Sequence, residues 1–165
     1  MKDIDWTNVW EVERDICYLY HELSEVQGID GDLAYGTIYA QPYWQFLDLS
    51  AFQMPEAERR FITEGCLIFI LAMAWDVIDG SGSYISDKLV RCQQAIDKLI
   101  ATDDNERKLV LTVKLALSAA ATGAGTSDQL EALSDWVNRT YICGYFERKI
   151  VESPYLRRGG RENGA

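Results

Sequence analysis

Histidine occurs once, at His21, and proline three times in 165 residues. A single imidazole leaves one position at which a histidine metal ligand or a Ser-His or Cys-His nucleophile system could be built. With so little proline and no low-complexity block, long disordered linkers are not expected. The four cysteines, Cys17, Cys66, Cys92 and Cys143, contain no C-x-x-C pair, the commonest signature of zinc and redox sites. Each falls in a segment of helical pattern and reads as an isolated buried thiol of a reducing compartment. No apolar run reaches the about 20 residues that span a bilayer. The most apolar, CLIFILAMAW, covers only Cys66–Trp75, between Glu64 and Asp76. The opening MKDIDWTNVW carries no apolar signal core. These absences predict a cytoplasmic protein that does not enter a membrane.

Basic residues are also scarce, but only in one part of the chain. Residues 1–58 hold twelve acids against two bases, Lys2 and Arg14, whereas residues 59–165 hold fourteen of each. The formal charge of −10 is therefore carried by the first third. That third also holds ten of the nineteen aromatic residues. An acidic surface repels nucleic acid and anionic membranes, both polyanions, and favours a basic partner.

The hydropathy pattern predicts an all-α fold. Val9, Val12, Ile16, Leu19, Leu23 and Val26 recur at three and four residues, the apolar stripe of a first helix, with Asp5 or Thr7 to cap it and Gly28 to end it. Residues 29–54 form an irregular, aromatic-rich segment in which a strand over 35–39 or a short helix from Pro42 is possible. A second helix opens at Met54-Pro55-Glu56, runs to about Ile78 and stops at Asp79-Gly80-Ser81-Gly82-Ser83. A third spans about Ser86 to Ile100, with Leu89, Cys92, Ile96, Leu99 and Ile100 inward. Asp103 and Glu106 have the capping-box spacing before a fourth, which ends at Gly123 and Gly125. Ser127 or Asp128 caps a fifth, with Leu130, Leu133, Val137 and Tyr141 inward, ending before Pro154. The prediction is a single-domain bundle of about five helices over residues 1–153, followed by a mobile basic tail, 154–165.

Within the acidic third, Glu11, Asp15, Tyr18, Glu22 and Glu25 follow spacings of four and three. They trace a second stripe on the first helix, about 21 Å long. Other helices carry acid-then-base pairs at i, i+4, namely Asp87–Arg91, Asp103–Arg107, Asp104–Lys108 and Asp135–Arg139. The first helix has only Arg14 to offset its repulsion. A solvated acidic face, or pairing with Arg157, Arg158 and Arg161 of the tail, would account for the stripe. So would a recognition face formed by Glu11, Asp15, Tyr18, Glu22 and Glu25 with Trp10, Tyr43 and Trp44. Asp76 and Asp79 read as a helix end rather than a cation site. Gly80-Ser81-Gly82-Ser83 follows a helix and has no P-loop lysine, so it reads as a connector. Cys17 and His21 stand one turn apart, but no further ligand pair and no nucleophile elbow accompanies them. No catalytic residue, cofactor or metal is expected.

Tyr43-Trp44-Gln45-Phe46, followed by Leu49-Ser50, Phe52 and Met54-Pro55, resembles a stretch of the ArdB/KlcA anti-restriction family. The likeness covers about thirteen residues and lacks the family's Asn-Gly-Gly after the serine, so it does not establish membership. The function expected from the residues is that of a small acidic bacterial or phage inhibitor, of the immunity, anti-restriction or anti-CRISPR type. It would act on a basic toxin nuclease or a nucleic-acid-binding defence protein, including by DNA mimicry. The alternatives are a ligand-binding or enzymatic domain walled by residues 35–52, and a structural oligomer subunit. Thiol titration of the denatured, unreduced protein should count four free cysteines; fewer would contradict the reading of isolated thiols.

Overall fold

The computed structural model describes residues 6–27, 47, 49, 53–80, 86–123 and 125–143. Side chains are described for these except residues 6, 17, 18, 20–27 and 86–88. Five α-helices follow one another: α1 (Trp6–Gln27), α2 (Glu56–Ile78), α3 (Ser86–Asp97), α4 (Asp104–Thr122) and α5 (Asp128–Val137). A π-helical turn, Asn138–Ile142, continues α5. No strand occurs among the described residues. The chain is thus an all-α bundle. The strand or helix expected within 35–54 falls almost entirely outside the described residues, as does the tail 154–165.

α2 is the central element because it has no polar face. Every residue from Phe61 to Trp75 is buried, so burial extends one turn beyond the apolar run read from the sequence. By length and composition α2 could cross a membrane, but its apolar residues are buried inside the bundle, as in the core helix of a soluble protein. It packs chiefly against α1 and α4, while α3 and α5 pack on α4. On α1 the inward stripe is as expected: Val9, Val12, Ile16 and Leu19 are fully buried. Trp10 meets Phe69 with ring centroids 6.3 Å apart, and Val12 and Ile16 meet Gly65. Contacts that climb α1 descend α2, so the two helices are antiparallel.

The helix ends follow local chemistry. Pro55 is the residue before α2, in extended conformation, with Glu56 and Glu58 in the first turn. Asp103 Oδ1 accepts from the Glu106 N–H at 2.8 Å, and Ser127 Oγ from the Leu130 N–H at 3.1 Å, each satisfying an otherwise open donor. α4 ends at Gly123, at φ +66°, where a side chain would be strained.

Three expectations are corrected. α3 ends at Asp97 rather than Ile100, and Ile100, expected inward, is 86% exposed. The Lys98 and Leu99 N–H groups bond back to Ala95 and Ile96, tightening the last turn and peeling the chain off before Ile100. The fifth helix gives way to the π-turn after Val137, and Leu133, expected inward, is only half-buried; the expected helix end before Pro154 lies outside the described residues. Cys143 is exposed, unlike Cys66 and Cys92, because it lies just past the π-turn.

Gly65 sets how close α1 and α2 can come. A Cβ there would lie 2.8 Å from Ile16 Cδ1 and 2.9 Å from its Cγ1. Gly65→Leu should therefore destabilise the fold by about 1–3 kcal/mol through overpacking. In urea unfolding, Ile16→Ala combined with Gly65→Leu should lose less than the sum of the single changes; strict additivity would mean the two side chains do not meet.

Candidate functional site

The acidic stripe read on α1 divides when its side chains are placed. Asp15 is buried, at 7% exposure, and Glu11 is half-buried. Glu13, which was not part of the stripe, is buried at 4%. Arg14 pairs with Glu11 and has its Nε 3.6 Å from Asp15 Oδ1. The lone base of the helix is thus its internal counter-ion. Asp15 follows Val12 by three residues and precedes Leu19 by four, which places it on the flank of the apolar stripe rather than on an outward one. Tyr18, Glu22 and Glu25 belong to α1, but their side chains lie outside the description, and Tyr43 and Trp44 lie outside the described residues. Trp10 is 41% exposed. Thr7, Trp10 and Arg14 form the exposed stripe of the described part of α1, with Glu11 beside it.

A second charged constellation was not anticipated. Arg59, in the first turns of α2, donates from Nε and Nη2 to both oxygens of Glu56, at 2.9 and 2.8 Å. The same Nη2 lies 3.2 Å from Thr102 Oγ1 and 3.3 Å from Glu106 Oε2. Arg60 reaches Asp103 at 2.6 Å and Glu64 at 3.6 Å, with Glu106 at 4.0 Å. Glu106 is fully buried and also accepts from the Thr102 N–H at 3.3 Å. Tyr141 OH donates to Glu64 at 3.1 Å. Two guanidiniums and four carboxylates therefore join the starts of α2 and α4 to the π-turn. A buried carboxylate is costly unless paired, and Glu106 has both guanidiniums beside it.

Those partners displace several expected pairs. Asp103 serves as helix cap and partner of Arg60, so Arg107 pairs with Asp104 instead. Lys108, expected to pair with Asp104, stands 4.2 Å over the Trp136 ring, a cation–π contact. Arg139 Nε donates to the Asp135 backbone carbonyl at 3.3 Å. The Arg59-Arg60 doublet ahead of an apolar helix was the available signal for this cluster. Glu106 was legible only as a capping residue, because its tertiary partners are more than forty positions away.

Glu58 lies two turns before Gly65 on the face that meets α1. It is buried at 3% exposure, and its Oε2 has no hydrogen-bond partner. The positive end of the α2 dipole is the favourable interaction that its place in the first turn provides. Asp79 ends α2, its N–H bonded to the Trp75 carbonyl, before Gly80 at φ +85°. That is the helix-end role expected for it. No group of three or more His, Cys, Asp or Glu side chains able to hold a metal occurs among the described residues. Cys17 and His21 fall among the residues whose side chains are not described.

Compared with known proteins, the chain matches no family model, no curated protein and no solved structure.

The charged cluster makes the fold acid-sensitive with a definite sign. The bidentate bond from Arg59 holds the Glu56 carboxyl below its ordinary range. The Glu106 backbone N–H, with Arg60, does the same for Asp103. Both bind protons less readily folded than unfolded, so their contribution is complete above the unfolded value of about 4 and is lost as pH falls through the lowered folded values. Stability measured by urea unfolding should therefore decline below about pH 4. Arg60→Met should make that decline shallower, and Glu106→Ala at neutral pH should cost about 1–2 kcal/mol, because the part-exposed Arg59 and Arg60 keep Glu56 and Asp103 as partners.

Proposed function

We propose that the chain is a binding protein whose acidic first third recognises a basic partner and blocks it, as an immunity-type or anti-defence inhibitor would. The observation that carries this reading is the division of charge, twelve acids against two bases in residues 1–58 and fourteen of each thereafter. Trp10 supports it: a 41% exposed indole beside Glu11 supplies contact area that salt does not screen. Asp15 drops out of the face because it is buried. The proposed face is then Trp10 and Glu11, continued along α1 by Tyr18, Glu22 and Glu25 and joined by Tyr43 and Trp44. Basic toxin nucleases and nucleic-acid-binding defence proteins are the partner classes whose charge fits.

The test is affinity capture from native cells, then titration of the captured partner at low and high salt. The partner should carry a basic surface, and raising ionic strength should weaken binding steeply. Trp10→Ala should cost about 2 kcal/mol, roughly thirtyfold in Kd. Glu11→Lys with Glu22→Lys should chiefly slow association. A neutral or acidic partner bound with no salt dependence would overturn the proposal. Asp15→Lys is excluded from the set, since it should lower stability by placing a charge beside the core.

A further inference from the structure

The π-turn at Asn138–Ile142 is the described segment whose backbone departs from regular helix inside a buried interface. Its ring is closed by the Cys143 N–H donating to the Asn138 carbonyl at 2.8 Å, an i to i+5 bond. Such a turn amounts to one residue inserted into an α-helix, and every later position is set back by one helical step. In an unbroken helix, position 141 stands over Ser134, two turns earlier. Ser134 faces the core, fully buried, its Oγ accepting from Trp75 Nε1 at 3.0 Å. The insertion gives that inward direction to Ile142 and turns Tyr141 to the side, towards Glu64. Both are buried, Ile142 at 0% and Tyr141 at 3%.

One side chain from the other end of the chain holds this arrangement. Asn8, 7% exposed on α1, donates from Nδ2 to the Ile142 carbonyl at 2.9 Å.

We propose that the π-turn is a one-residue register switch, with a continuous α-helix through Cys143 as its other state, and that Asn8 selects the π register. The change is small and discrete. The Cys143 N–H moves from the Asn138 carbonyl to that of Arg139. Tyr141 takes the inward place of Ile142 and leaves Glu64, while Ile142 turns to the flank and its carbonyl leaves Asn8. Thr140, exposed in the middle of the turn, is the residue the α register does not need. The switch does not rest on the proposed function, and its test uses no partner.

The experiment reads scalar coupling across hydrogen bonds by NMR in the full-length, partner-free protein. In the wild type, the Cys143 amide nitrogen should couple to the Asn138 carbonyl carbon. In Asn8→Ala, a coupling to the Arg139 carbonyl carbon should appear and that to Asn138 should fall by at least half. Asn8→Asp, which keeps the shape but cannot donate, should behave likewise and serves if the alanine variant does not fold. Deletion of Thr140 should leave a folded protein with α-type coupling alone through this segment. Coupling to Asn138 that survives undiminished in a folded Asn8 variant would overturn the proposal. So would a wild type coupled only to Arg139, or loss of the fold on deleting Thr140, since no α alternative would then exist.

Discussion

A helix that is apolar on every side must be walled in on every side, and that constraint on α2 organises the molecule. From Phe61 to Trp75 no residue reaches solvent appreciably, so neighbouring helices must cover its whole circumference. α1 approaches closely on one face because Gly65 leaves room for Ile16. α4 lies along another, fastened at its start by Arg59 and Arg60 around Glu106. Burial of apolar surface supplies the driving force but not the arrangement, since it is non-directional. The arrangement comes from the few polar groups inside the wall. Trp75 Nε1 finds Ser134, Glu64 finds Tyr141, and Glu106 accepts from Arg59 at 3.3 Å. Each would be left unsatisfied by a different placement of α5 or α4.

Local signals carried much of this into the sequence. The spacing of Val9, Val12, Ile16 and Leu19, the cap residues Asp103 and Ser127, and Gly123 beyond α4 act within a few positions of themselves, so they can be read in isolation. The length of α3 was overestimated because Leu99 and Ile100 continue the apolar spacing. What ends the helix is the need to turn into α4, which spacing does not encode. The π-turn was equally hidden. Tyr141 reads as inward in a plain helix, and nothing in the spacing marks the extra residue, which shows only in the Cys143 N–H bond to the Asn138 carbonyl.

The candidate site was legible as charge and not as geometry. Composition located the acids in the first third, and periodicity aligned Glu11 and Asp15, but a helical stripe has flanks. Asp15 falls on the flank that turns inward, where its carboxylate sits near Arg14 rather than in open water. Glu13 and Glu58 were not assigned to the core at all, yet both are buried. Part of the negative charge of the N-terminal third is thus sequestered inside the bundle, and the outward remainder is smaller than a count of residues suggests. Among the described residues the largest ionic cluster lies mostly elsewhere, and all its members but Glu56 belong to the part of the chain whose charges balance.

The bond from Asn8 to Ile142 joins positions 134 residues apart in the chain. During synthesis its donor leaves the ribosome long before its acceptor has been made. At roughly 5–20 residues per second, the interval is about 7–27 s. Through that time α1 can pack against α2, but the π-turn, Tyr141 and the acceptor for Asn8 do not yet exist. A nascent chain therefore holds the apolar wall of α2 open on the side of α5 until nearly all of residues 1–142 have emerged. Late closure leaves that unfinished side, more than the completed bundle, as the surface most open to chaperones and to aggregation.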